Sequence, residues 1–171
     1  MKTNKIAKLH SVIFILLLFA GFADATAKPR IAVLDFELKD LTLSPGIPAE
    51  ITRTASIKPM LENELEKSGY DIVSIPLAAQ QQANAGVGYL FDRPDAAAQL
   101  GNKFGADYML IGRLHKSSFL FFYLMAHLVD VKKETLAGEF ICEVKGGEKK
   151  LVAKGVESLA EKIAKTLGAD D

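Results

Sequence analysis

The chain has 171 residues, with 21 basic and 21 acidic side chains and no formal net charge at pH 7. That balance gives no basic field for nucleic acid or an anionic lipid surface, and the length leaves room for one domain with a single adequate core. The lone cysteine, Cys142, excludes an internal disulfide and zinc sites of the multi-cysteine kind.

Lys2, Lys5 and Lys8 precede an apolar centre over 12–20, and Ala23, Ala25 and Ala27 follow it. A positive head, a short apolar run and small residues are the pattern of a cleavable export signal over 1–27, cut after Ala25 or Ala27. The apolar run is short for a membrane span, which needs roughly 20 residues. No cysteine stands just behind the cut to carry a lipid. The expected product is one domain over 28–171, periplasmic, not a lipoprotein and without a stable membrane anchor. Loss of Lys2, Lys5, Lys8 and Asp24 leaves it with a net charge of −2.

Residues 30–38 (RIAVLDFEL) read as a strand, and 39–48, with Ser44, Pro45, Gly46 and Pro48, as a loop. A helix then runs up to Gly69, opening either at Pro48 with a kink at Pro59 or at Pro59 itself. Residues 70–75 make a second strand. Pro76 opens an Ala/Gln-rich helix that stops at Gly86, the 86–88 segment turns, and 94–104 form another helix ending before Gly105. Three β-rich runs follow, 106–116, 119–131 and 135–144, with separations short enough for an antiparallel meander. Val152, Val156, Leu159, Ile163 and Leu167 lie on one stripe of a last helix. The order β-α-β-α-α-β-β-β-α suits an α/β fold of the α+β type, a two-layer sandwich with a mixed, mostly antiparallel sheet and helices mainly on one face.

IAVLDFE near the start, KSG-Y closing the first helix, ADYMLIGRL, a strand ending LVDV and an amphipathic last helix together resemble a known periplasmic module. It is shared by the TolB amino-terminal domain, the curli secretion protein CsgG and the lipoprotein LpoB. GRLHKSS, LVDV and a glycine-containing turn before the last helix also resemble a group of small secreted proteins to which no activity is attached. The first resemblance implies a module that docks onto envelope proteins or joins an assembly without catalysing a reaction. The second implies an accessory role, in some cases beside periplasmic quinoprotein oxidation systems. Where that group carries a cysteine-bearing segment and an Arg-Gly-Asn-type turn, this chain reads DRPDAA and KGGEKK, so chemistry attached to those segments does not carry over.

Among candidate side chains, His115 and His127 lie in neighbouring strands. With the hairpin turn near Phe119, His115 falls opposite Tyr123 and His127 opposite Ile111, so the imidazoles do not pair, and two without a third ligand make a poor zinc site. Asp35 and Glu37, two apart on a strand, share a face and form a carboxylate pair with no nucleophile or base beside it. Asp35, Glu37 and His115 are therefore weak polar-site candidates. Cys142 alternates with Phe140 and Val144 and reads as core, and Asp130 reads as a turn-fixing carboxylate.

Run 119–131 is apolar on both faces, which requires a cover for the second face. The cover is the 39–58 segment, a second copy of the chain or a partner. Phe119, Phe121, Tyr123, Met125 and His127 form the candidate interaction surface. No catalytic residues, cofactor or metal are expected. The leading function is a non-catalytic periplasmic accessory or adaptor protein, docking onto an envelope or periplasmic protein or onto its own copy through this face and the 39–58 or 86–92 loops. The alternative is a carrier of a small ligand, cofactor or metal, and a small hydrolase ranks third.

Overall fold

The computed structural model describes residues 28–87, 89–146 and 149–168. The export signal read over 1–27 lies outside them. Strands β1 (Arg30–Val33) and β2 (Glu37–Asp40) are followed by helices α1 (Pro48–Ala55) and α2 (Ile57–Lys67). Then come β3 (Asp71–Ile72), α3 (Leu77–Val87), a 3-10 turn at Leu90–Asp92 and α4 (Pro94–Phe104). Strands β4 (Tyr108–Lys116), β5 (Phe121–Asp130) and β6 (Thr135–Lys145) precede the long helix α5 (Lys149–Leu167).

Local chemistry sets these limits. Pro48 occupies the first turn of α1, where a missing N–H costs nothing. Between the two openings open to the sequence, the helix starts at Pro48, and its break falls at Ser56 rather than at Pro59. Pro59 has no N–H to return to the preceding turn, so it sits in the first turn of a new helix. Helix α4 stops because Gly105 adopts the left-handed conformation, φ 70°.

The sheet order is β3-β1-β4-β5-β6, with β2 also beside β4. The β1, β2 and β3 pairings are parallel and β4-β5-β6 is the expected antiparallel meander. His115 faces Tyr123 and His127 faces Ile111, as the hairpin reading places them. The architecture is an α+β sandwich on a mixed sheet. On one face α2 and α5 bury Ile57, Leu61, Leu65, Val156, Leu159 and Ile163 against Val33, Leu110, Leu114, Leu124 and Leu128. Gly155 brings α5 close, since a Cβ there would lie 2.7 Å from Val144.

The second face of β5 does have a cover from within the chain. It comes from the 3-10 turn and α4, with α3 alongside, rather than from 39–58. Leu90, Phe91, Ala97 and Leu100 pack with Met109, Ile111 and Val129, and Met125 is packed against the same cluster. Helix α1 lies toward the first face, where Arg53 stands over the Phe122 ring. The cover stops short of the far ends of β4, β5 and β6.

Candidate functional site

One irregularity governs where the polar candidates go. Val33 pairs with Leu110 and Glu37 with Arg113, so three residues, 34–36, span the length of two, 111–112. This is a β-bulge, and one extra residue exchanges the faces of everything beyond it. Phe36 turns onto the first face and lies across Gly112. Asp35 sits in the bulge and its carboxylate takes Lys58 of α2 at 3.2 Å. Glu37 takes Arg113 of β4 at 2.7 Å. The shared face expected for Asp35 and Glu37 is thus not formed, because period-2 alternation holds only in an unbroken strand.

On the second face, Arg113 is the centre of a polar cluster at the margin of the cover. Its guanidinium bonds Glu37 at 2.7 Å and Asp92 at 3.1 Å and lies 4.2 Å from the centroid of Phe91. Burial acts to lower its pKa, but the two carboxylates outweigh that and raise it. Phe91 also stacks on His127, 3.9 Å between centroids, and the His127 Nδ1–H donates to the Phe91 carbonyl oxygen at 2.8 Å. The other ring nitrogen faces Glu139 at 3.9 Å. Next to Asp92, Arg93 bonds Asp95 and holds its carboxyl at about 2.

The five residues of the candidate surface therefore divide. Met125 and His127 are tucked under the cover, Tyr123 is half-buried beside His115 with ring centroids 6.4 Å apart, and Phe119 and Phe121 are exposed. His115 and His127 stay apart, and among the described residues no three His, Cys, Asp or Glu side chains converge as a metal site. Cys142 is buried on the first face, and Asp130 accepts from the Lys133 N–H at 2.8 Å, closing the β5-β6 turn.

The far end of the sheet gathers what the sequence leaves scattered. Leu41 N–H donates to Lys116 O, which joins the 41–47 loop to the β4-β5 hairpin. Asp40 holds that loop by accepting from the N–H and hydroxyl of Thr42 and from the N–H of Gly46. Beneath it Lys116 Nζ bonds Glu50 at 2.6 Å, with Arg53 on the other carboxylate oxygen; Glu50 and Lys116 are both buried. Burial acts to raise the Glu50 pKa, and the bonds from Arg53 and Lys116 bring it below the usual value instead. The segments tied together here carry large apolar side chains in solvent: Leu41, Leu43 (95% exposed) and Ile47 in and beside the loop, Ile51 in α1, and Phe119 (66%) and Leu120 (68%) at the hairpin. A periodicity reading assigns loop leucines no role, and the bonds to Lys116 are what tie their segment to the hairpin.

Grooves also lie at the surface. One of about 460 Å³ runs between α3 and α4, lined by Ala79, Ala83, Leu100 and Phe104. Another of about 320 Å³ flanks β6 and α5, lined by Val144, Leu151, Gly155, Ser158 and Lys162. Among the described residues no helix is long and apolar enough to cross a membrane.

The profile of the DUF3280 family, described as a protein of unknown function (DUF2380), matches residues 29–170. The chain belongs to the DUF3280 family. No curated protein matches it in sequence. Among solved structures, this DUF3280 chain is similar to TolB from Acinetobacter baumannii, with TM-score 0.53, 16% identity, 82% of this chain and 28% of that one covered. It is also similar to lipoprotein GNA1162 from Neisseria meningitidis, with TM-score 0.52 and 16% identity over 80% of this chain and 96% of that one. The LpoB C-terminal domain from Salmonella enterica aligns with TM-score 0.48 and 16% identity over 78% of this chain and 93% of that one. At such identities the likeness of TolB and GNA1162 is one of fold, and this chain spans little more than a quarter of TolB.

Proposed function

We propose that this DUF3280 chain is a non-catalytic accessory protein of the cell envelope, exported by the 1–27 signal, which docks a protein partner on the apolar end of its sheet. The observation that carries this reading is that Leu41, Leu43, Ile47, Ile51, Phe119 and Leu120 are all exposed on segments tied together by the Leu41–Lys116 hydrogen bond and the buried Glu50–Lys116 pair. Monomeric soluble proteins seldom leave so many large apolar side chains together in water, and such patches mark interaction sites. Their support is rigid: Asp40 pins the loop and a buried, hydrogen-bonded ion pair underlies it. The polar clusters elsewhere support the same reading, since Glu37, Asp92 and Arg113 are spent on one another. The likeness in fold to a lipoprotein and to TolB is in keeping with an envelope setting. The resemblance to accessory proteins of quinoprotein oxidation systems makes a periplasmic component of such a system the first partner to test.

A photo-crosslinking phenylalanine analogue placed at Leu43 or Phe119 in the exporting cell tests this. A discrete protein adduct is expected from both sites, absent from the same probe at exposed Glu66 and lost when Ile47→Ser and Leu120→Ser are added. Equal adducts from Glu66, or none from the apolar end, sink the proposal.

A further inference from the structure

Among the described residues strand β6 is the last of the sheet, and no strand pairs with its outer side. Main-chain groups alternate in direction along an antiparallel strand. The Gly146 N–H donates inward to Leu120 O, whereas Ile141 O is reached from outside by Lys162 Nζ at 2.8 Å. The N–H and C=O groups of Glu139, Ile141, Glu143 and Lys145 therefore point away from β5. Beyond the irregularity at Leu128/Val129 the pairing with β5 is regular from Gly138 to Lys145. All four of these side chains are exposed, Ile141 by 56%. A long regular edge is a template for another strand unless it is blunted.

We infer that this edge pairs with the same edge of a second copy of the chain, antiparallel, about a two-fold axis at Cys142. The charge pattern selects both the occupant and the register. With Cys142 at the axis, Glu139 faces Lys145 of the second copy at both ends of the joint. Ile141 then faces Glu143 of the second copy and lies diagonal to its Ile141, and Phe140 faces Val144. Opposite charges directly across an antiparallel pair are favourable and like charges are not. Moving the axis to Ile141 sets Glu139 against Glu143, and moving it to Glu143 sets that residue against itself. An axis at Val144 pairs Glu143 with Lys145 but runs off the end of β6 at Lys145. In the single chain Lys145 rests 3.6 Å from Glu143, and Lys162 occupies the Ile141 carbonyl. Association exchanges those contacts, so the gain comes from the free groups of Glu139, Glu143 and Lys145 and from cover for Ile141. The joint ends at Lys145, beside the hairpin that carries Leu120, but its test reads self-association alone, so it stands whether or not docking at Leu43 and Phe119 does.

Sedimentation velocity over a concentration series tests the inference, with circular dichroism to establish that each variant is folded. The wild-type chain should pass from monomer to dimer. Glu139→Lys and Lys145→Glu should each weaken the dimer by at least about ten-fold, because each sets like charges face to face twice, and E139K/K145E should restore it. A monomer at every concentration, a dimer indifferent to the single reversals, or a double variant no better than either single one overturns the proposal. So does a monomer whose β6 amide signals shift when a synthetic peptide of alternating Glu and Val is added, which assigns the edge to an extended peptide.

Discussion

The side-chain amide of Gln80 closes on both main-chain groups of Asp35, accepting from its N–H and donating to its carbonyl, each at 2.9 Å. At that point the bulge has withdrawn the strand from β4, and a side chain from α3 supplies the ladder bonds a neighbouring strand would have made. Gln80 is buried, so its own amide depends equally on the arrangement. Gln80→Ala should cost about 1–3 kcal/mol in urea unfolding, the penalty for stranding partly buried donors and acceptors. Gln80→Glu should be as damaging at pH 7, where its second oxygen would face the Asp35 carbonyl, and should recover part of the loss when protonated. Equal stability of all three at pH 7 would contradict this role.

The Glu50 carboxyl, held below its usual value of 4.5 by Arg53 and Lys116, makes stability depend on acid in a defined sense. A depressed folded pKa means that the stabilisation is complete above the unfolded value and is lost as pH falls through the folded one. The wild type should therefore lose stability below about pH 4.5 more steeply than Glu50→Gln, compared by urea midpoints along a pH series. At pH 7 Glu50→Gln should itself cost about 3–5 kcal/mol, because Lys116 stays buried without its counter-charge. Parallel acid profiles for the two proteins would remove Glu50 from the account.

Gly112 is where Phe36 crosses the sheet, and a Cβ there would lie 2.2 Å from the ring. Gly112→Ala should destabilise by about 1–3 kcal/mol through overpacking. Paired with Phe36→Leu, the added cost should be smaller than in the wild-type background, a coupling that a double-mutant cycle measures.

Cys142 is buried, with its sulfur 3.9 Å from the Ser158 hydroxyl. Its reaction with a thiol reagent should follow the fraction unfolded as urea is raised. A fast reaction in native buffer would show that the thiol reaches solvent without global unfolding.

The sequence is readable wherever period and punctuation agree with the backbone. The α5 stripe, the Gly105 stop, the meander and the placing of His115 opposite Tyr123 follow from local pattern and turn length. Asp35 and Glu37 part company because one inserted residue is invisible to a period-2 rule, and RIAVLDFEL has no glycine or proline to betray it. Leu90 and Phe91 hide for another reason. A three-residue turn is too short to carry a period, although it supplies the ring that both Arg113 and His127 stack on. The apolar end escapes because its members come from a loop, a helix start and a hairpin tip, far apart in the chain and on segments tied together only once β2 lies beside β4.

The strand order β3-β1-β4 puts the first-made strand in the interior of the sheet, with Arg30 against Asp71 on one side and Ile31 against Tyr108 on the other. Both flanks of β1 are parallel pairings, which require long crossovers and form slowly, whereas β4-β5-β6 can assemble from neighbours in sequence. A chain emerging from its N-terminus thus carries Ile31, Ala32, Val33 and Leu34, all fully buried in the end, with no neighbour until residues 71–72 and no second one until residues 108–110 have followed. The half that appears last is built from pairings local in sequence, and the leading strand is held only by distant ones.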